Sequence, residues 1–552
     1  MKNYKKTIVL IAYAIIILNS QKINAQWNYD LSLNNPISLA ANDQQDARLV
    51  SDGDKGAIIT WVDYRSNVTV ADIFVQRIDK NGYIKWAVNG LPICTSNNDQ
   101  KEVNITEADN GSAIVVWSDS RNGFEKDVYA QKIDSNGTIL WATNGVSLST
   151  LASTKQNPKV LHDGNGGAIV TWQDSSVAAN DFDIKAQHVD MNGVITWSTT
   201  GENICAFTNK QINPRLETDN ANGAIITWQD KRFNNFYDIY VQHITAAGTV
   251  AWTANGFVIC NANEGQLNPK IEPDGSGGAI IAWQDKRNNN YDVYAQRIDN
   301  TGALQWVPNG VAVCNAFGAQ SAVDLKYIPG SGCMVAWKDN RNPLSYDIYM
   351  QMLNLNGTAQ WANNGVFLST GINPNIAYDG VSGGIITWQD SITGTWNVYA
   401  NRVNTSGTAL WGNSVLLCSA ADDQQSPKNI SDMTGGGIFV WQDGRNGNDL
   451  DIHCTHIDSN YVTSITENNS NSFALSLYPN PVSDFLLINN LENQKIKSVI
   501  ITNALGKIIY QNTFSKIESL IKIDTKLFPA GVYFLQCSNA DDKISLIKFV
   551  KE

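Results

Sequence analysis

A chain of 552 residues, 43% of them hydrophobic, is long enough to bury a sizeable core, either as several domains or as one large all-β ring. It carries 40 basic and 52 acidic side chains, a net charge of −12, and so acidic a body repels phosphate backbones, which argues against nucleic acid as a partner. Five histidines leave little material for a metal centre.

The chain opens with Lys2, Lys5 and Lys6, an apolar run from Thr7 to Leu18, and Ile23-Asn24-Ala25 ahead of Gln26. This is the grammar of an export signal peptide over residues 1–25, cut between Ala25 and Gln26. The run is well short of the roughly 20 apolar residues that span a bilayer, and no cysteine near Ala25 offers a lipid attachment. No later stretch is apolar enough to cross a membrane, so the mature chain is expected to be secreted and soluble.

Residues 26–464 repeat. A run of the type Gly-Ala-Ile-Ile-x-Trp-x-Asp places tryptophans at 61, 117, 172, 228, 283, 337, 388 and 441, at spacings of 51 to 56 residues. Each unit offers four short strands, as in Asn268 to Ile271, Ala279 to Trp283, Asp292 to Ile298 and Ala303 to Cys314, with Gly, Asn, Asp and Ser at the joints. The second is apolar on both faces, as expected of a sheet held between two others. A second tryptophan recurs at 86, 141, 197, 252, 306, 361 and 411, seven times against eight. The eighth unit lacks its fourth strand, and Gln26-Trp27 through Leu39 resembles it. The fold expected is all-β: an eight-bladed β-propeller closed by an N-terminal strand, with the Asn268–Ile271 type of strand lining the central channel, followed by a small Ig-like β-sandwich.

Repetition also sorts the candidate chemistry, because a residue present in every blade is architectural and a catalytic site breaks the symmetry. His188, His243 and His456 occupy a slot held elsewhere by Arg77, Lys132, Arg297, Met352 and Arg402, and read as ordinary strand side chains. Cys94, Cys205, Cys260, Cys314 and Cys418 share one repeat position and cannot pair with one another, so they read as buried thiols. Turns such as Asp52-Gly53-Asp54-Lys55-Gly56 supply too few oxygens for calcium and read as tight glycine turns. No metal and no cofactor is expected.

After the first tryptophan an aspartate recurs in all eight units, followed two residues later by Arg65, Arg121, Arg232, Arg287, Arg341 and Arg445 in six. The pattern reads as a lock that pins each loop or joins neighbouring blades. The same loops carry Phe233, Phe236, Tyr237, Tyr291, Tyr346 and Trp396, aromatic side chains suited to a sugar or protein ligand at one mouth of the ring. Trp396 stands outside the two repeated tryptophan positions and is the best single candidate. Nothing resembles the paired acids of a glycosidase, and the Gly302 to Trp306 spacing departs from the Asp-box turn of sialidase-like propellers. A non-catalytic binding or adhesion module is the favoured reading, with a propeller-type glycoside hydrolase as the alternative.

Residues 465–473 read as a linker. The tail, 474–552, shows short alternating strands, with Leu477-Tyr478-Pro479-Asn480-Pro481, Gly506-Lys507, Leu527-Phe528-Pro529-Ala530-Gly531-Val532-Tyr533 and Lys548-Phe549-Val550-Lys551. It resembles the C-terminal sorting domain of the type IX secretion system of Bacteroidetes. That resemblance implies contact with the secretion machinery, passage through the periplasm, and release or attachment at the cell surface.

Overall fold

In the computed structural model each of the first seven repeats forms one antiparallel four-stranded sheet, and the eighth does so with a strand from the N-terminal end. The structure describes residues 27–460 except 124, 179–180, 234, 392–393 and 413. In the tail it describes 475–552 except 480, 491–495, 504–506, 515–519 and 540–543. The leader with its Ala25–Gln26 cut, and the linker 465–473, lie outside the described residues. The chain divides into two compact units at Tyr461/Val462.

After β1 (Asn35–Ser38), the first blade runs β2 (Gln44–Ser51), β3 (Ala57–Asn67), β4 (Val70–Ile78) and β5 (Leu91–Cys94), from channel to rim. Blades 2 to 7 repeat the order and begin at Gln100, Lys155, Gln211, Gln266, Gln320 and Ile372. Blade 8 contributes three strands of its own, from Gln424 to Ile457, and its rim strand is β1, with Asn35 opposite Cys454. The apolar second strands have no wet face: Ala279–Asp285 is buried at every residue. Their side chains pack between blades, one cluster joining Ile58, Ile73 and Val75 of blade 1 to Val115, Trp117 and Tyr129 of blade 2. The fourth strand is shorter than the sequence suggests. In blade 5 it is Val311–Cys314, while Leu304 makes only an isolated bridge to Ile298.

Trp27 closes the ring. It is 6% exposed, stacks on His456 of blade 8 at 5.4 Å, and its indole Nε1 donates to the Lys80 carbonyl of blade 1 at 2.8 Å. The second tryptophans Trp86, Trp141, Trp306 and Trp361 make the same bond to the following blade. Trp27 is therefore the eighth member of that set, contributed from the other end of the repeat array.

Every innermost strand carries a β-bulge at one place. The register slips between Gln45 and Arg48 in blade 1, and likewise through blade 8 between Gln425 and Lys428. The bulged residue takes φ between 50° and 58°, as at Asp46, Asn157, Asn213, Asn268 and Ser426. Asparagine tolerates that left-handed conformation. The proline that follows it in Asn157-Pro158, Asn213-Pro214 and Asn268-Pro269 has no N–H to leave unpaired on a strand with one free edge. The bulge N–H of Asn213, Asn268 and Ser426 donates instead to the Gln173, Gln229 and Gln389 side chains of the preceding blade.

The tail unit packs two sheets into a β-sandwich. Leu475–Tyr478, Phe485–Asn490 and Leu520–Asp524 form one; Ile508–Thr513, Ile496–Asn503, Gly531–Asn539 and Ile544–Lys551 form the other. Leu486, Ile488, Val499, Ile501, Leu535 and Phe549 fill the space between them.

Candidate functional site

The repeated aspartate is buried in seven blades and half-buried in blade 7, at Asp390. In blade 4, Asp230 accepts from the Trp228 indole at 2.7 Å and takes a bidentate grip from Arg232, with Nε to Oδ1 at 2.9 Å and Nη2 to Oδ2 at 2.6 Å. The same Nη2 reaches Cys205 Sγ of blade 3 at 3.2 Å and the Asn255 carbonyl at 2.7 Å, and the guanidinium lies 3.9 Å over the Tyr240 ring. Blades 2, 5, 6 and 8 repeat the contact to the preceding blade's cysteine through Arg121, Arg287, Arg341 and Arg445. All eight cysteines are free and buried. Burial pushes the Cys205 and Cys260 thiols up to about 12, so they serve as neutral packing atoms. The lock joins both its own loop and the neighbouring blade, and it withdraws these acids and arginines from solvent.

At the opposite ends of the blades, the glycine turns use their aspartate twice. Asp52 Oδ1 accepts from the Asp54 and Gly56 amides, and Oδ2 pairs with Arg77 at 2.8 Å. Histidine replaces that arginine in blades 3, 4 and 8, where His188–Asp163, His243–Asp219 and His456–Asp432 lie 2.8, 2.7 and 3.0 Å apart. These histidines are more than ordinary strand side chains, because each carries its blade's turn-to-strand tie. Burial raises the Asp432 carboxyl, but hydrogen bonds from His456 and Thr434 override it and hold the group at about 2.

The aromatic candidates lie on the loops between second and third strands of blades 4 to 7. Phe233 is 73% exposed and meets Phe207 edge-on at 5.4 Å; Phe236 and Tyr346 are also exposed. Tyr237, Tyr291 and Trp396 are half-buried. These three and Tyr346 hold one repeat position, where each backbone carbonyl accepts from the first strand of the next blade, at Gln266, Gln320, Gln424 and, from Tyr346, Gly371. Trp396 thus belongs to the repeat after all, at the place of Tyr237 rather than at either tryptophan place. The face gains Leu344 and Phe317, at 93% and 85% exposed, which sequence reasoning passed over. Their signal was available, since neither apolar residue has a structural slot in the repeat. Among the described residues no cluster of three or more His, Cys, Asp or Glu could hold a metal ion.

The tail decides the destination. Residues 476–552 match the secretion system C-terminal sorting domain. The protein is therefore a secreted β-propeller, addressed by this domain and its secretion machinery to the cell surface or the extracellular space. Among the described residues no helix is long and apolar enough to cross a membrane. No curated protein matches the chain significantly. Solved structures that do match include an endo-arabinase from Bacteroides thetaiotaomicron, at 14% identity and a TM-score of 0.28, covering 48% of this chain and 96% of that one. An α-L-arabinofuranosidase of Fusarium graminearum matches at 9% identity and a TM-score of 0.35, over 78% of this chain and 98% of that one. A protein of unknown function from Dyadobacter fermentans matches at 10% identity and a TM-score of 0.32, over 56% of this chain and 95% of that one. Likenesses of this size say nothing about chemistry.

Proposed function

We propose that the ring is a non-catalytic binding or adhesion module, displayed outside the cell and taking a glycan or protein ligand on the loop face of blades 4 to 6. The observation that carries this reading is the set of large apolar side chains held in solvent there: Phe233, Phe236, Phe317, Leu344 and Tyr346. Such exposure is unfavourable without a partner to cover it. The repeated aspartates of the same loops, Asp230, Asp285 and Asp339, are engaged in the Trp–Arg–Cys locks.

A screen of the purified full chain against glycans and surface proteins tests the reading. Phe233→Ala and Tyr346→Ala should each weaken the ligand found by about tenfold or more, the loss typical of an interface anchor. Because both side chains are exposed, the ring should unfold at an unchanged urea midpoint. Trp396→Ala should weaken it too, at some expense of stability, since its ring is half-buried. Binding unaffected by all three substitutions refutes the site. Turnover of a chromogenic glycoside panel refutes the non-catalytic reading in favour of a glycoside hydrolase.

A further inference from the structure

The body of this protein is acidic, yet the wall of its central channel is not. Two residues past the bulge, each innermost strand turns one side chain toward the axis. Five of these eight are cations: Arg48, Lys159, Arg215, Lys270 and Lys428. Blades 2 and 7 place amides there, and blade 6 places Asp324. Asp324 is taken, because it pairs with Lys270 at 2.9 Å and accepts from the Asn375 side chain and the Ile376 amide. Among the described residues, Arg48, Lys159, Arg215 and Lys428 form no ion pair; two of them, Arg48 and Arg215, reach only the carbonyls of Ala47 and Pro214. Four of the cations line one open cavity of about 350 Å³, together with the bulged residues Asp46, Asn268 and Ser426, Asp46 being the one acid of that lining.

Four cations around one cavity outnumber its acids, Asp46 in the lining and Asp324 already paired with Lys270, and burial together with the neighbouring cations lowers the Lys159, Arg215 and Lys428 groups. Burial, reinforced by Arg48 and Lys270, pushes the Lys428 ammonium down to about 8, and burial with Arg48 lowers the Arg215 guanidinium to about 10. The layer two residues further along the channel carries Glu217 and Glu272; Lys326 is bound to Glu272 at 2.9 Å, and burial with the neighbouring Glu272 raises the Glu217 carboxyl to about 7. An anion entering from the loop face therefore meets the cation layer first, with acidic side chains and no further excess of cations beneath it.

We propose that this channel layer is a binding site for a polyvalent oxyanion, sulfate or phosphate, either as the free ion or as the charged group of a saccharide. Two or three negative charges placed among Arg48, Arg215, Lys270 and Lys428 cancel the repulsion that the folded ring otherwise stores, and guanidinium and ammonium donors suit tetrahedral oxyanions. The site is independent of the aromatic loop face, so Phe233→Ala leaves it intact.

The test uses the full chain and the Arg215→Gln/Lys428→Gln double variant. Isothermal titration with sodium sulfate, against sodium chloride at equal ionic strength, should show saturable sulfate binding that the double variant weakens at least tenfold. Sulfate stabilises most proteins by exclusion from their surface, so thermal unfolding is compared between the two proteins. The wild type should gain more in Tm from sulfate than the variant does, while in chloride the variant should unfold at an equal or higher temperature, two repelling charges having been removed. Titration with glucose 6-sulfate, with glucose as control, separates the sources. Tighter binding of the sulfated sugar than of inorganic sulfate assigns the site to a saccharide, and the reverse assigns it to the free ion. Sulfate binding retained in the double variant, no saturable binding in the wild type, or a double variant less stable in chloride overturns the proposal.

Discussion

Replacing Trp27 by alanine tests whether β1 closes the ring. The indole is 6% exposed, lies 5.4 Å from His456 and donates to Lys80 of the next blade. Truncating a buried tryptophan to alanine costs about 3–5 kcal/mol in a well-packed core. Of this, roughly 1 kcal/mol belongs to the lost hydrogen bond. Trp27 precedes a four-residue strand that can relax around the gap, which places the expected loss near the lower bound, about 3 kcal/mol. The assay is urea unfolding of the full chain followed by far-UV circular dichroism, with Trp141→Ala as the reference. Trp141 is 7% exposed, makes the equivalent bond to Met191, and joins blades 2 and 3, away from the seam. Comparable midpoint shifts support closure. A loss below about 1 kcal/mol for Trp27→Ala beside a full loss for Trp141→Ala refutes the reasoning, because it means blade 8 stands without its rim strand.

Breaking a lock should be expensive. Asp230→Ala leaves Arg232, whose side chain is 5% exposed, without its carboxylate, and should cost about 3–5 kcal/mol by urea unfolding. Asp390→Ala in blade 7, where isoleucine stands in the arginine's place in the sequence, should cost less. Acid titration should find the Asp432 tie: a carboxyl held at about 2 contributes stability that is complete above its ordinary 3.8 and lost as pH falls through 2. His456→Gln should shrink that contribution and move the acid-unfolding midpoint to higher pH. Finally, the eight buried thiols should resist Ellman's reagent at pH 8 in the native protein and all react in urea. Prompt native reaction of several thiols would contradict the packing.

The blade count, the closing strand and the lock were legible because each rests on residues that recur at a fixed period. The tryptophan that seemed to be missing from the eighth unit was itself the signal for Trp27. The channel was legible only in part. Its strand could be placed from the Asn268–Ile271 pattern, but its charge could not, because the bulge changes which side chains face the axis and the cations vary between lysine, arginine and their substitutes from blade to blade. The histidine ties were hidden for a related reason: the turn aspartate and its partner are separated by 24 or 25 residues in blades 3, 4 and 8, and only the hairpin register brings them together. In the tail, Leu520–Asp524 escaped notice, being a five-residue strand with too few alternations to stand out. Trp396 misled in the opposite direction, since comparing tryptophans only with tryptophans hid its kinship with Tyr237.

Closure by β1 also fixes the order of events in folding. Asn35 pairs with Cys454, 419 residues along the chain. Loop entropy adds about 0.6 kcal/mol per doubling of length, so nearly seven doublings beyond a hairpin loop of about four residues set a toll of about 4 kcal/mol. That exceeds the roughly 3 kcal/mol that Trp27 returns, so the last joint of the ring is expected to form only once both flanking blades are in place to receive it. The seam belongs to the point where the chain is cut and not to blade 8 itself. A circular permutant opened between the third and fourth strands of another blade would carry the same joint to a new place on an unchanged ring.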